Sequence, residues 1–165
     1  MFITRHNEVK YELSGNTVKI GEIAPNFTLK NTKGENISLT ELNDKPLLIS
    51  VVPDINTPVC SIQTARFNQE IGKIKDIHFI TISTNKPEDF THWCAAQGIE
   101  NLEFLSDSEG IFGKNYGIYI ETLNVDARAT FVIDTKGVLL YEEIVPEMTN
   151  EPDYERAIKE IQGIL

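Results

Sequence analysis

The residues best suited to chemistry in this 165-residue chain are its two cysteines, Cys60 and Cys94. Cys60 closes the segment Pro53-Asp54-Ile55-Asn56-Thr57-Pro58-Val59-Cys60, in which each piece has a physical task. Pro58 suits the first helical position, where a missing N–H costs nothing. Thr57 then falls at the N-cap, with an oxygen able to accept from the N–H of Val59 or Cys60. Cys60 is thereby expected in the first helical turn, at the positive end of the helix dipole, which favours thiolate over thiol. A thiolate there is a nucleophile beside backbone N–H groups that can hold an oxygen. A plainer reading stands next to it: a free cysteine is most often a small buried hydrophobe, and a threonine before proline can be only a cap. Spacing alone leaves both open. Cys94 sits with Phe90, Trp93 and Gln97 at helical spacing, company in which a cysteine is commonly core. The three histidines, His6, His78 and His92, are scattered. Two cysteines without histidine support fall short of the four N/S ligands of a structural zinc site, so no metal is expected.

The elements that must position Cys60 are legible from pattern. Leu47-Leu48-Ile49-Ser50-Val51-Val52 is a nearly continuous apolar run, which suits a strand buried on both faces. A helix over 58–71 follows, then a strand over 79–83, then a helix over 87–97 bounded by Pro87 and Gly98. Phe104-Leu105-Ser106 reads as a short strand, and 108–116 as a short helix interrupted by glycine. The stretches 129–133 and 138–141 form a hairpin across Asp134-Thr135-Lys136-Gly137, and a helix from Pro152 closes the chain. Before all of these, Val9, Tyr11 and Leu13 alternate up to Ser14-Gly15-Asn16, after which Val18 and Ile20 resume. That pattern predicts a β-hairpin turning at 14–16, and a second strand pair is predicted at 27–29 and 37–39. The whole is an α/β, thioredoxin-like plan with extra strands in front, expected as a single domain over 1–165. Right-handed crossovers place the 47–52 and 79–83 strands side by side and parallel. Sites in such sheets form beyond the C-terminal strand ends, where Cys60 lies.

Composition narrows the partners. Fifteen basic residues against 25 acidic ones give a net charge of −10, which disfavours a phosphate backbone or an anionic membrane surface. No run approaches the roughly 18 apolar residues of a spanning helix, and the start of the chain lacks the marks of a signal peptide, so a cytoplasmic setting is expected. There is no Cys-x-x-Cys, which argues against a thioredoxin-type reductase.

Pro53, Thr57 and Cys60 fill the pattern Pro-x-x-x-Thr-x-x-Cys, and the chain resembles the thiol peroxidases, the atypical two-cysteine subfamily of the peroxiredoxins. Further points of resemblance are the leading hairpin, Cys94 in the next helix, the stretch 127–134 around Arg128, and Glu151-Pro152-Asp153-Tyr154. The resemblance implies a thioredoxin-like fold with an N-terminal hairpin extension, no cofactor, and reduction of hydrogen peroxide and organic hydroperoxides. It makes Cys60 the peroxidatic cysteine and Cys94 the resolving one, joined by an intrachain disulfide that thioredoxin reduces. Thr57 is implied to hold thiolate and peroxide through its hydroxyl, Pro53 to shield the sulfur, and Arg128 to favour the thiolate. By pattern alone Arg128 reads more readily as a surface Arg pairing with Asp126 or another nearby acid. A homodimer is a further implication. Gly98 and Ala95-Ala96 mark the 87–97 helix as a hinge that opens so the two sulfurs can meet. Phe27, Ile55, Tyr116 and Ile118 are expected near the cleft, where they would favour alkyl or lipid hydroperoxides, although core packing explains them as well. The alternative function is a peroxide sensor of the same fold with little turnover; a third reading is a structural domain with inert cysteines.

Overall fold

The computed structural model of the protein describes residues 1–99 and 102–165. In chain order, β1 (Phe2–Arg5) and β2 (Val9–Glu12) pair, as do β3 (Thr28–Lys30) and β4 (Asn36–Ser38). Strands and helices then alternate: β5 (Leu47–Val51), α1 (Pro58–Ile71), β6 (His78–Ser83), α2 (Pro87–Gln97) and β7 (Phe104–Ser106). A short α3 (Ile111–Asn115) leads to β8 (Tyr119–Ile120), β9 (Val125–Asp126), β10 (Ala129–Ile133), β11 (Leu139–Ile144) and α4 (Tyr154–Gln162). Seven strands make one sheet in the order β11-β10-β5-β6-β7-β3-β4. β5, β6 and β7 run parallel, and the strands added on either side are antiparallel. This is the α/β plan expected from the pattern.

Burial explains why the apolar run at 47–51 is continuous. All five residues of β5 are buried, because both faces of the sheet are covered. Leu48 and Val132 face α1 and α4 and pack on Phe67, Ile71, Ala157 and Ile161. Leu47, Ile49 and Val51 face the other way, with Ile82 and Phe131, towards Phe27, Phe112 and Tyr116. Alternation therefore turns Ser50 to the α1 side. A third cluster forms at the C-terminal strand ends from Val52, Ile55, Cys60, Phe90, Trp93 and Phe104. Phe90 stacks on Phe104 with centroids 4.1 Å apart, which seats α2 against β7.

The first hairpin is not where alternation puts it. β1 pairs with β2 across His6 and Asn7, both in the left-handed region at φ 54° and 57°. The 14–16 segment is no hairpin turn: Ser14 N donates to Tyr119 O at 2.8 Å, and Asn16 N donates to Lys114 O at 2.8 Å. Gly15, at φ 111°, is needed there because a Cβ would collide with the Lys114 carbonyl. The predicted 108–116 helix contracts to α3, preceded by a turn through Gly110 at φ 74°. β8 and β9, two residues each, have no expected counterpart in the pattern.

Candidate active site

α1 begins as its sequence predicts, with Pro58 in the first turn after Thr57 and Cys60 three residues into the helix. Cys60 is buried, at 1% exposure, yet it forms part of the floor of a cavity. The capping role expected for Thr57 is corrected: its side chain makes no cap bond to the helix. The hydroxyl donates instead to Asp54 O at 2.8 Å, alongside Thr57 N to the same carbonyl at 3.0 Å. The loop is tight enough that its own turn takes the hydroxyl hydrogen. Two consequences follow. The N–H groups of Val59 and Cys60 have no acceptor among the described residues, and the Thr57 oxygen keeps lone pairs but has no hydrogen to offer a thiolate. Two orphan donors at a helix start make a ready seat for an electronegative oxygen.

Arg128 precedes β10 and is 2% exposed. Its Nη1 lies 3.4 Å from the Cys60 sulfur and donates to Gln63 Oε1 at 2.7 Å. Its Nε and Nη2 donate to Met148 O at 3.3 and 2.8 Å. The surface pairing with Asp126 does not occur; Asp126 is turned towards Asp107. Gln63 is held in turn by β5, its Nε2 donating to Ser50 Oγ at 2.8 Å and Val51 O at 3.4 Å. A guanidinium braced on a neutral amide and a backbone carbonyl keeps its whole charge for the sulfur. Sequence reasoning missed Gln63. The available signal was a polar residue on the inward stripe of α1, where Cys60, Gln63, Thr64, Phe67 and Ile71 are all buried.

The loop between β5 and α1 is pinned by Asn85, which also went unread. Asn85 Oδ1 accepts from Ile55 N at 2.9 Å and Ser83 Oγ at 2.8 Å, and Nδ2 donates to Asp54 Oδ1 at 3.0 Å. Asp54 Oδ1 also accepts from Asn56 N at 3.0 Å. Two parallel strand ends are thus tied by one side chain. Pro53, buried in this loop, lines the same cavity as Cys60.

Comparison with known proteins accords with this geometry. The model of the AhpC/TSA family matches residues 20–142. The chain belongs to the AhpC/TSA family. It is 42% identical to the thiol peroxidase of Bacillus subtilis over 154 residues, covering 93% of this chain and 92% of that one. It is 43% identical to the thiol peroxidase of Halalkalibacterium halodurans over 154 residues, 93% of each. A solved peroxiredoxin-like protein from Aquifex aeolicus superposes with a TM-score of 0.92 at 26% identity, covering 99% of this chain and 97% of that one. Within the AhpC/TSA family the chain is therefore a peroxiredoxin-type thiol peroxidase of thioredoxin-like fold.

In this AhpC/TSA protein the cavity over Cys60 measures about 530 Å³. Its walls include Thr57, Val59, Leu123, Val125, Arg128 and Met148. Three of the apolar residues expected at the cleft lie elsewhere: Phe27, Tyr116 and Ile118 belong to the main core, because the second face of the sheet must be covered. Ile55 packs in the Cys60 cluster but is fully buried. Cys94 is a free thiol in α2, half-buried against that cluster, and burial pushes its thiol up from the ordinary value. One residue from each cysteine, Trp93 Nε1 donates to Ser61 Oγ at 2.9 Å, joining α2 to α1.

The segment after β11 frames the site from the other side. Glu147 Oε1 accepts from Asn7 N at 2.9 Å and Thr4 Oγ1 at 2.8 Å, and Glu147 Oε2 accepts from Thr149 N at 2.8 Å and from the Thr149 hydroxyl. Burial acts to raise this carboxyl, but the bonds from Thr149, Asn7 and Thr4 prevail and hold it down at about 2. The segment whose Met148 carbonyl braces Arg128 therefore also anchors the β1–β2 turn, through Glu147.

Proposed function

We propose that Cys60 is the peroxidatic sulfur and Cys94 its resolving partner in this thiol-dependent peroxidase. The observation that carries the assignment is the contact at 3.4 Å between Arg128 Nη1 and Cys60 Sγ, beside two unpartnered N–H groups and open to a cavity. The Cys60 thiolate attacks the terminal oxygen of a hydroperoxide, forming an S–O bond as O–O breaks. The departing oxygen takes a proton and leaves as alcohol or water, while Cys60 becomes a sulfenic acid. Arg128 and the Val59 and Cys60 N–H groups stabilise charge as it shifts between oxygens. Thr57, its hydrogen committed to Asp54, accepts the hydroperoxide hydrogen and sets the O–O axis. Pro53 keeps bulk water from the sulfur.

The Cys94 thiol then attacks the sulfenic sulfur, forming the disulfide and releasing water. A thioredoxin-type dithiol returns both sulfurs to thiols by exchange. A cytoplasmic homodimer belongs to the same reading. The test is intact mass after one equivalent of hydrogen peroxide, with turnover followed by NADPH loss through thioredoxin and its reductase. Wild type loses two hydrogens at monomer mass and turns over. Cys60→Ser consumes no peroxide, and Cys94→Ser gains one oxygen but fails to recycle. Normal cycling by Cys94→Ser refutes its role, and oxidation without NADPH loss in wild type favours the sensor.

A further inference from the structure

β11 ends at Ile144, and the strap that follows, residues 145–149, belongs to no helix and pairs as a strand only through the single bridge between Thr4 and Glu147. It nevertheless grips Arg128 twice. Val145 N donates to Arg128 O at 3.0 Å, and Met148 O accepts from the guanidinium through Nε and Nη2. A carbonyl outside a ladder has no neighbouring strand to fix its direction, so the one at Met148 must be aimed by other means.

Glu147 supplies them. The Met148 carbonyl and the Thr149 N–H are the two ends of one planar trans peptide unit, so they point opposite ways. Thr149 N donates to Glu147 Oε2 at 2.8 Å, and the Thr149 hydroxyl donates to the same oxygen. With the N–H held by the carboxylate, the carbonyl on the far side is turned to Arg128. The other carboxylate oxygen reaches the N-terminal hairpin, where Oε1 accepts from Thr4 Oγ1 at 2.8 Å and from Asn7 N at 2.9 Å. Backbone bonds complete the clamp: Met148 N donates to Thr4 O and Thr4 N donates to Pro146 O, both at 2.8 Å. Every peptide unit from Pro146 to Thr149 is therefore fixed.

The clamp is costly, which argues that its geometry matters. Glu147 is 6% exposed, and among the described residues no cation pairs with it. A buried carboxylate without a counter-ion is tolerated only where donors surround it, and here all of them are neutral N–H and O–H groups. The hairpin contributes strain as well, since His6 and Asn7 both take left-handed backbone. Contacts thus run unbroken from the hairpin through Glu147 to the Met148 carbonyl and the guanidinium, whose Nη1 lies 3.4 Å from Cys60 Sγ. The attraction between that charge and a thiolate falls with distance, so a carbonyl that tilts away weakens it.

We propose that Glu147, held by Thr4 and Asn7 of the β1–β2 hairpin, is a positioning residue for the peroxidase reaction: it aims the Met148 carbonyl that sets Arg128 against the Cys60 sulfur. This rests on the reading of Cys60 as the peroxidatic sulfur. The hairpin, which makes no bond to the sulfur, thereby acts on its reactivity.

The experiment uses the full chain carrying Cys94→Ser, so that Cys60 is the one thiol present and its oxidation by hydrogen peroxide is read in stopped flow as a single step. Ionisation of Cys60 is followed separately, by the ultraviolet absorbance of its thiolate across a pH series. Glu147→Gln sets an amide NH2 against groups that need an acceptor. It should slow oxidation about tenfold and move the thiolate midpoint to higher pH. Thr4→Val removes only the hydroxyl and should slow the step about threefold, while Thr4→Ser should react like the parent. Added to an Arg128→Lys chain, Glu147→Gln should cause little further loss, because both changes act through the same side chain. A lower melting temperature with unchanged thiolate midpoint and oxidation rate in Glu147→Gln overturns the proposal. So does a full tenfold loss that persists once Arg128 is replaced. Where Glu147→Gln does not fold, the Thr4 pair decides, and equal rates for Thr4→Val and Thr4→Ser overturn it. Failure of the Cys94→Ser parent to react with hydrogen peroxide would instead strike the underlying assignment of Cys60.

Discussion

At the level of single residues, the pairing of Arg128 with Gln63 decides how much positive charge reaches the sulfur. Gln63 offers Arg128 a neutral acceptor at 2.7 Å, so the guanidinium is oriented without being neutralised. An isosteric Gln63→Glu change keeps the shape and supplies a competing negative charge. The expected outcome is a fall of tenfold or more in the rate of Cys60 oxidation by peroxide, about 1.4 kcal/mol of lost transition-state stabilisation. Stopped-flow measurement of that step checks it, with the melting temperature showing that the fold is intact. An unchanged rate would mean that Arg128 acts through geometry alone. The place of Cys60 at a helix start was legible from type and position, whereas Arg128 came only with the family resemblance, since by pattern it suited a surface pair. Met148 was not, since its part is played by a backbone carbonyl that any residue could offer. Thr57 misled for a related reason: the loop that leads into it has its hydroxyl donate to the Asp54 carbonyl, and no helix N–H bonds to its oxygen.

Among elements, the boundaries that survive are those marked by Pro and Gly. Pro58 and Gly72 bracket α1, and Pro87 and Gly98 bracket α2, Gly98 taking the left-handed cap at φ 67°. The apolar runs of β5 and β6 carry their own burial. The first hairpin slipped because an alternating 9–13 stretch fits a turn at either end, and the true turn uses His6 and Asn7 without a glycine to announce it. α1 and α2 are latched by Trp93 Nε1 on Ser61 Oγ, beside both cysteines. If α2 opens to let Cys94 reach Cys60, that latch breaks and the Trp93 indole parts from Ser61. Trp93 is the single tryptophan of the chain, so its emission reports the event. Stoichiometric peroxide should shift the emission to the red in wild type and leave Cys94→Ser nearly unchanged. Ser61→Ala should speed disulfide formation severalfold. An emission spectrum identical in dithiol and disulfide forms would rule out opening of α2.

Across the molecule, two buried carboxyls give stability opposite pH slopes. Glu147 is held down at about 2 from an ordinary 4.5, so its contribution is present above pH 4.5 and is lost as pH falls towards 2. Asp126 behaves inversely. Burial, a hydrogen bond with Asp107 and the Asp107 charge push its carboxyl well above 3.8, while Asp107 itself caps the N–H groups of Phe112 and Gly113. The native state then holds a proton that the unfolded chain has released, so stability is fullest below pH 3.8 and declines as pH rises through the raised value. Asp126→Asn replaces the shared proton with an amide donor. It should stabilise the protein at pH 8 by about 1–3 kcal/mol and have little effect near pH 3, as read from melting temperatures across that range. A uniform shift at all pH values would show that Asp126 holds no extra proton. The site also has a consequence for synthesis. The charge beside Cys60 comes from residue 128, and its brace comes from residue 148. A growing chain folds from its N-terminal end, and the strand–helix–strand half can assemble on the ribosome well before those residues emerge. Until they do, the sulfur lacks its neighbouring guanidinium, and only a chain that has passed residue 148 holds the full set of groups around it.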